Sequence, residues 1–248
     1  MELTFLGRGS AFNPGEGNTS AYLREDGRVL LLDCGETVFG RLIDRGVLAD
    51  AREVYAVVSH LHSDHCGSLS TLALYCFWRM RQPLTLVTAE DPEYVGQLRR
   101  LLGLSGIGED GVRFLQDRDM PAFRAFESLR IVPTEHVPQL RCFSFVFETE
   151  EGGAFYSADT RTTRPLEEFL SSHARVAAIW HEATARSAGN DVHTPIARLD
   201  EVIPRELRDR TFLMHLDGPE TEREARRRGF ACVRVDGDAP QILTDGPY

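Results

Sequence analysis

The sequence predicts an α/β fold in which two β-sheets pack back to back and helices cover their outer faces. Short apolar runs rich in Val, Ile, Phe and Tyr alternate with helical patterns almost to the end of the chain. The early part is rich in strands separated by Gly turns, and the later part repeats that pattern. So many strands in 248 residues can bury their apolar faces if two sheets face each other.

The individual elements follow from local signals. The predicted strands are bounded by Gly, Pro, Asp or Arg. They are Leu3–Leu6, Ala21–Arg24, Val29–Asp33, Val54–Ser59, Leu84–Thr88, Val112–Leu115, Leu129–Pro133, Phe143–Glu148, Ala154–Ser157, Val176–Trp180 and Thr211–Met214. Several predicted helices begin with a capping residue followed by Pro, as in Asp91-Pro92 and Thr194-Pro195. The predicted helices are Glu36–Arg45, Gly67–Arg81, Pro92–Leu102, Pro165–Ser171, Pro195–Ile203 and Pro219–Arg228.

Composition restricts the class of protein. The content of 42% hydrophobic and 9% aromatic residues is that of a folded globular protein and excludes disorder as the main state. The chain shows no repeat, low-complexity tract or Pro-rich linker, so we predict a single domain over residues 1–248. The 28 basic residues are all Arg, and 38 acidic residues bring the net charge to −10. This charge repels a phosphate backbone at long range and disfavours broad non-specific nucleic-acid binding.

The sequence also predicts a cytoplasmic protein. The longest apolar stretch, Leu69 to Met80, falls short of the ~20 residues that a membrane helix needs. Arg8 lies too close to Met1 for a signal peptide to form between them. The five cysteines are odd in number and form no C-x-x-C pair, so we expect reduced thiols.

The most informative segment is the motif H-x-H-x-D-H, which follows the predicted strand Val54–Ser59. Neutral imidazole is a good ligand for zinc, and a carboxylate adds an oxygen ligand. A loop after a strand can direct such side chains toward two adjacent points, so one short motif can serve two ions. The ligands predicted from this motif are His60, His62, Asp64 and His65.

Further candidate ligands follow other predicted strands. His136, Asp159 and His215 each come just after a strand, where sheet proteins place site residues on one rim. Each residue alone would more often be structural, but together with the motif we predict that all three bind metal. Asp33 ends a strand on the same rim, where it could orient a ligating His or cap the following helix.

This set of residues resembles the metallo-β-lactamase superfamily over nearly the whole chain. The resemblance implies a four-layer αββα sandwich with a dinuclear site at the edge of the sheets. It implies two Zn²⁺ ions as cofactors, with Mn²⁺ or Fe²⁺ as alternatives. By motif, one ion would bind His60, His62 and His136. The second ion would bind Asp64, His65 and His215, with Asp159 bridging the two.

A closer resemblance is to the ribonuclease Z-like branch of that superfamily. Residues 5–11 (FLGRGSA), 18–20 (NTS) and 33–36 (DCGE) resemble the start of such proteins. The segments His181-Glu182-Ala183-Thr184 and His193-Thr194 resemble further motifs of the branch, in which a Glu and a His assist proton transfer. The resemblance therefore implies that Glu182 and His193 are catalytic, together with the ligand Asp64. Alternatively, Glu182 is a strand-end carboxylate in the core, and His193 is a neighbour of a helix cap.

Two features depart from the branch. Arg8 stands where a Thr is usual, so we expect a differently shaped first loop. Ribonuclease Z inserts a long tRNA-gripping arm between the residues that match His136 and Asp159, but here they are only 23 residues apart. Arm-less phosphodiesterases that cleave cyclic nucleotides, such as the anti-Pycsar type, share these motifs and are similar to this chain.

The resemblance thus implies a dinuclear metal-dependent phosphodiesterase, in which water activated by the metals attacks phosphorus. The expected substrate is a small nucleotide phosphodiester, either a cyclic nucleotide or a short RNA end. Alternatives are a ribonuclease Z-type tRNA 3′ endonuclease, a carboxyl-ester, lactone or thioester hydrolase on the same scaffold, a redox di-iron variant, and a sensing protein that keeps metals but turns over slowly. We expect no membrane partner.

The predicted helix Gly67–Arg81 suggests an oligomer. Its main apolar stripe has helical spacing and belongs in the core, but Tyr75 and Trp78 lie off that stripe. The helix is therefore apolar nearly all round, which favours a homodimer interface on its outer side.

Overall fold

Two six-stranded sheets form the centre of the computed structural model, which describes residues 1–186 and 192–235. The strands of the first sheet lie in chain order and are β1 (Thr4–Gly7), β2 (Ser20–Glu25), β3 (Arg28–Leu32), β4 (Glu53–Val57), β5 (Leu84–Thr88) and β6 (Val112–Gln116). The pairs β1–β2 and β2–β3 are antiparallel, and β3 to β6 run parallel. The carboxyl ends of these parallel strands therefore meet at one edge of the sheet.

The second sheet repeats this arrangement. Its strands are β7 (Ser128–Thr134), β8 (Cys142–Thr149), β9 (Gly152–Tyr156), β10 (Val176–Glu182), β11 (Thr211–Met214) and β12 (Ala231–Cys232). An antiparallel meander, β7 to β9, is followed by parallel pairing from β9 to β12. All eleven predicted strands are confirmed, whereas the two-residue strand β12 was not predicted, since two residues show no periodicity.

Apolar side chains on both faces of the sheets explain why the strands read as continuous hydrophobic runs. In β8, Phe145 and Phe147 belong to the core between the sheets, which also contains Leu30 of the first sheet. Val146, between them in sequence, belongs to a second core beneath the helices that cover the second sheet. Alternate residues of one strand thus serve two layers, and the predicted αββα sandwich is confirmed.

Seven α-helices lie outside the sheets in the described part of the chain. They are α1 (Val38–Asp44), α2 (Ser63–Cys66), α3 (Leu69–Leu74), α4 (Pro92–Leu104), α5 (Arg164–Ser172), α6 (Ile196–Val202) and α7 (Pro219–Arg227). The Asp91 carboxylate accepts a hydrogen bond from the Tyr94 N–H and caps α4, as its sequence predicts. No described helix is long and apolar enough to span a membrane.

The helix predicted over Gly67–Arg81 is present but shorter, since α3 begins at Leu69 and continues as a π-helical turn over Tyr75–Arg79. Its later start has a long-range cause. The Ser68 hydroxyl donates to the Gly35 carbonyl at 2.5 Å, and the Ser68 N–H donates to the Cys34 carbonyl. These bonds to the loop after β3 compete with the regular helical pattern.

Candidate metal centre

The predicted ligands come from loops of both sheets that meet at one edge. His60 and His62 follow β4, and His136 follows β7. Asp159 follows β9, and His215 directly follows β11. The αββα packing therefore brings together residues that are far apart in the chain.

Asp64 and His65 reach the site from the four-residue helix α2, which was not predicted. Both side chains are buried. This helix packs directly on the loop after β3, because a Cβ atom built on Gly35 would lie 1.9 Å from the Asp64 carbonyl oxygen. Gly35 is thus required by a close backbone approach rather than by a turn.

The first group of donor atoms consists of three imidazole nitrogens and one carboxylate oxygen, all within 4.8 Å of one another. His62 Nδ1 lies 2.9 Å from His60 Nε2 and 3.3 Å from His136 Nε2. Asp159 Oδ2 lies 3.7 Å from His136 Nε2. Burial lowers the pKa of all three histidines, most strongly that of His60, which keeps them as neutral imidazoles.

The second group shares Asp159 with the first and adds Asp64, His65 and His215. His65 Nε2 lies 3.3 Å from both Asp64 Oδ2 and Asp159 Oδ1. His215 Nε2 lies 3.3 Å from Asp64 Oδ2 and from Asp159 Oδ2. Burial would raise the pKa of the Asp159 carboxyl, but His215, His65 and His60 outweigh it and hold this pKa well below its usual range.

The chemistry of these donors fits divalent cations. His136 Nδ1 donates to the Val192 carbonyl at 2.7 Å, so in the neutral ring a lone pair on Nε2 faces the other imidazoles. His65 Nε2 and Asp159 Oδ1 are buried and have no hydrogen-bond partner among the described residues, although they face each other. Buried donors and acceptors are normally paired. A cation between them would satisfy both groups, and nitrogen with carboxylate oxygen is a ligand set that zinc accepts.

Asp33 orients His65, which agrees with the first of its two predicted roles, orienting a histidine, rather than with capping a helix. Its Oδ2 accepts from His65 Nδ1 at 2.8 Å, and the Ser59 N–H and hydroxyl donate to the same carboxylate. Burial lowers the pKa of His65, but the Asp159 and Asp33 carboxylates outweigh it and raise this pKa well above its usual value. The negative charge that raises this pKa would also attract a cation, which would displace the proton from Nε2.

The first loop of the chain supports His215, which has a left-handed backbone with φ of 58°. The His215 N–H donates to the Thr19 hydroxyl at 3.1 Å, and that hydroxyl donates to the Gly9 carbonyl at 3.0 Å. The Leu216 N–H donates to the Arg8 carbonyl at 2.7 Å. A non-glycine residue in this region is strained, so these contacts hold His215 in place.

Arg8, which departs from the branch, connects this loop to the rest of the chain. Its guanidinium contacts Glu16 at 2.8 Å and donates to the Val233 carbonyl at 3.1 Å. Glu222 of α7 lies 3.6 Å away. The side chain is half-buried and points toward α7 and the end of the second sheet, so its effect on the site is indirect.

Glu182 and His193 lie beside the second donor group. One carboxylate oxygen of Glu182, one ring nitrogen of His193 and one ring nitrogen of His215 lie within 4.8 Å of one another. Glu182 Oε2 is 3.3 Å from His193 Nδ1, and Glu182 is fully buried. Burial lowers the pKa of His193, but the adjacent Glu182 carboxylate outweighs it and raises this pKa to about 9. The geometry therefore keeps a proton on His193 at neutral pH.

The structure thus brings every predicted site residue to one place, while their roles as ligands and catalytic groups stay predictions. Sequence reasoning missed the supporting residues Thr19 and Ser59. Thr19 lies in a segment noted only for its resemblance, and nothing local indicates that its hydroxyl meets a residue 196 positions away. His181 is buried and donates from Nδ1 to the Glu182 carbonyl at 2.7 Å, which agrees with a structural role.

The five cysteines are free thiols, as predicted. Cys66 directly follows the ligand motif and is buried. Burial raises the pKa of the Cys66 thiol to about 11, so it stays protonated at neutral pH and is a poor nucleophile. It therefore behaves as a small packing residue.

Comparison with known proteins identifies the family. The family model described as Anti-Pycsar protein Apyc1 matches residues 1–235. The chain belongs to this family. An Anti-Pycsar protein Apyc1 from Paenibacillus harenae is 31% identical over 228 residues, which are 87% of this chain and 89% of that protein.

More distant matches agree with the fold. A protein named Ribonuclease Z from Mycolicibacterium paratuberculosis is 27% identical over 98% of this chain and 88% of its own length. The crystal structure of the metallo-β-lactamase fold protein YhfI from Bacillus subtilis superposes with a TM-score of 0.67 and 16% identity, covering 92% of this chain and 90% of that one. The Apyc1 family member described here is thus a hydrolase with the metallo-β-lactamase fold.

The role of Thr19 can be tested with Thr19→Val. We expect the free energy of unfolding to fall by roughly 1–3 kcal/mol, because the buried His215 N–H and Gly9 carbonyl each lose a partner. Urea denaturation followed by circular dichroism measures the change. Thr19→Ser keeps the hydroxyl and should stay within about 0.5 kcal/mol of the wild type. If the Val variant and the wild type are equally stable, the Thr19 hydroxyl does not stabilise the backbone at His215.

Proposed function

We propose that this protein is a dinuclear metal-dependent phosphodiesterase that hydrolyses a small nucleotide phosphodiester, with a cyclic nucleotide as the preferred candidate. One observation carries the proposal. Two groups of imidazole and carboxylate donors, all buried except the half-buried His62, share Asp159, so one side chain can contribute an oxygen to each of two adjacent ions. Membership of the anti-Pycsar family and the similarity to a ribonuclease Z support phosphodiester chemistry.

The residues divide into two proposed metal sites. The first site would use His60, His62 and His136, and the second would use Asp64, His65 and His215, with Asp159 common to both. Zinc is our first choice because imidazole dominates the donor set, and Mn²⁺ or Fe²⁺ would accept the same ligands. A pair of such cations lowers the pKa of a shared water and neutralises charge on the phosphoryl oxygens.

The chain's own residues set the orientation of the site. Asp33 holds the ring of His65, and the Val192 carbonyl holds that of His136, so each presents Nε2 to the donor group. Such oriented ligands keep the site in one geometry before substrate arrives. Asp64 would take part in catalysis as a ligand of the second site, where its Oδ2 lies 3.3 Å from both His65 Nε2 and His215 Nε2.

Glu182 and His193 are the proposed proton-transfer pair. Glu182 Oε2 faces His193 Nδ1 at 3.3 Å, so the proton for the departing oxygen would come from His193 Nε2. The alkoxide leaving group of a nucleotide is a strong base and needs such a proton. An acyl substrate gives this pair no obvious task, so hydrolysis of esters or lactones is a weaker proposal.

Several features favour a small substrate. The segment between His136 and Asp159 consists mainly of the antiparallel strands β8 and β9, which leave no room for a long tRNA-gripping arm. Arg161 and Arg164, which follow Asp159 in sequence, both pair with Glu135, at 3.4 and 3.5 Å. Their charge is therefore partly neutralised rather than offered to a polyanion.

A ribonuclease Z-type tRNA 3′ endonuclease is the second candidate, because the similarity to a protein of that name extends over 98% of this chain. A sensing protein that keeps its metals but turns over slowly is a weaker candidate. Every ligand that the resemblance implies is present, so no visible loss explains a lack of catalysis. A cytoplasmic location remains our expectation for either enzyme.

We also propose a homodimer that uses the outer side of the segment Leu69–Arg79. Trp78 is 63% exposed on the π-helical turn, and its ring contacts that of Phe77 at a centroid distance of 5.1 Å. Leu74 lies on the same segment and is also exposed. A second copy of this chain would cover this apolar surface.

Metal content tests the ligand assignment. We expect elemental analysis of the purified protein to give about two transition-metal ions per chain, and chelation to abolish phosphodiesterase activity. His136→Ala should reduce the content to about one ion, because it removes a donor from the first group only. His173→Ala, a change outside the donor groups, should keep both ions. A wild type without bound metal would overturn the proposed function.

Substrate identity is tested by assaying a panel of cyclic mononucleotides, a precursor tRNA, nitrocefin and a lactone in parallel. We expect kcat/KM for at least one cyclic nucleotide to exceed that for the other classes by about 100-fold or more. The physical reason is that the site neutralises a single small phosphodiester and lacks the arm that would hold a folded RNA. Preferential cleavage of precursor tRNA would instead support the second candidate.

The proposed dimer is tested with Trp78→Glu, which adds a charge to the apolar surface. We expect analytical ultracentrifugation to show a dimer for the wild type and a monomer for this variant, because a buried unpaired carboxylate is unfavourable. Trp78→Phe keeps an apolar side chain and should remain dimeric. A wild-type protein that sediments as a monomer at micromolar concentration would exclude this interface.

A further inference from the structure

Thr194 follows the proposed proton donor in sequence and is 1% exposed. All of its polar groups have partners. Its N–H donates to Glu182 Oε1 at 2.7 Å, and its hydroxyl donates to the Thr160 carbonyl at 2.8 Å. Its carbonyl accepts from the Thr184 N–H at 3.0 Å.

These bonds connect three parts of the site. Glu182 is the partner of His193, and Thr160 directly follows the shared carboxylate Asp159. The Thr160 N–H also donates to Glu182 Oε1, at 3.3 Å. Two backbone N–H groups therefore fix one oxygen of Glu182, and the other oxygen faces His193.

We propose that Thr194 is a positioning residue that holds the proton donor His193 at a fixed place relative to the Asp159 turn. The proposal rests on the function proposed above and adds a residue to it. The hydroxyl of Thr194 ties the segment carrying His193 to the loop carrying Asp159, while the N–H of Thr194 orients Glu182.

The consequence follows from the distance dependence of proton transfer. A general acid works only within hydrogen-bond reach of the leaving oxygen. Without the hydroxyl bond, the Thr160 carbonyl loses its only side-chain donor among the described residues, and the His193 segment loses a direct link to the Asp159 loop. His193 would then be misplaced while the metal ligands keep their own supports at Asp33 and Thr19.

The test compares two leaving groups in Thr194→Val, which keeps the shape of the side chain and removes the hydroxyl. A cyclic nucleotide expels an alkoxide that needs a proton, whereas bis(p-nitrophenyl) phosphate expels a phenolate that leaves without one. We expect kcat to fall roughly 10- to 100-fold on the cyclic nucleotide and less than about 3-fold on the nitrophenyl ester. Metal content measured by elemental analysis should equal that of the wild type, and Thr194→Ser should restore turnover.

Matched controls separate the possible failures. Thr211→Val removes another fully buried hydroxyl, which donates to the Leu207 carbonyl at 2.8 Å, and should leave the ratio of the two activities unchanged. His193→Ala should show the same leaving-group dependence as Thr194→Val, but more strongly. If His193→Ala shows no such dependence, the proposed acid is wrong; if only Thr194→Val lacks it, or loses metal, the positioning role is wrong.

Discussion

The shared carboxylate of Asp159 is the feature on which the rest of the site depends. It is 2% exposed, and its oxygens lie 3.3 to 4.0 Å from nitrogens of four histidines, which come from the connections after β4, β7 and β11. A buried carboxylate is unfavourable unless positive charge compensates it. The imidazole of His65, whose pKa is raised, supplies part of that compensation, and two cations would supply it in full. The same requirement explains why both sheets must be packed before the site exists, since the first sheet carries His60 and the second carries Asp159 and His215.

Maintaining this arrangement requires unfavourable backbone conformations. Asp33, Ala158 and His215 are non-glycine residues with positive φ, at 62°, 49° and 58°, and all three belong to the site or adjoin it in sequence. Such conformations cost of order 1–3 kcal/mol each and persist only where the surroundings enforce them. For His215 the enforcing contact is the Thr19 hydroxyl. For Asp33 the backbone N–H donates to the Val57 carbonyl and the backbone carbonyl accepts from the Ser20 hydroxyl. The packing of the αββα layers offsets the free-energy cost of these conformations.

The sequence predicts the parts of this protein that depend on local patterns. The strand β4 is recognisable from its β-branched run, and the spacing of His60, His62 and His65 indicates a ligand cluster without any knowledge of the fold. The helix predicted over Gly67–Arg81 begins only at Leu69, because a distant carbonyl, that of Gly35, accepts a hydrogen bond from Ser68. Thr19 was missed for a similar reason, as its partner lies on another sheet. Local periodicity cannot report a hydrogen bond between segments that meet only after folding.

The location of His193, the proposed proton donor, also bears on which substrate we expect. His193 contacts the rings of His136 and His215 at centroid distances of 5.0 Å, one from each donor group, so it stands over both groups rather than beside one. A leaving oxygen protonated there must remain close to the phosphorus that lies between the groups. The ring of a cyclic nucleotide meets this condition, because the nucleoside that carries the leaving oxygen stays bonded to the same phosphorus through the second ester bond. A long RNA needs additional contacts to hold its departing strand, and the short β8–β9 hairpin does not supply them.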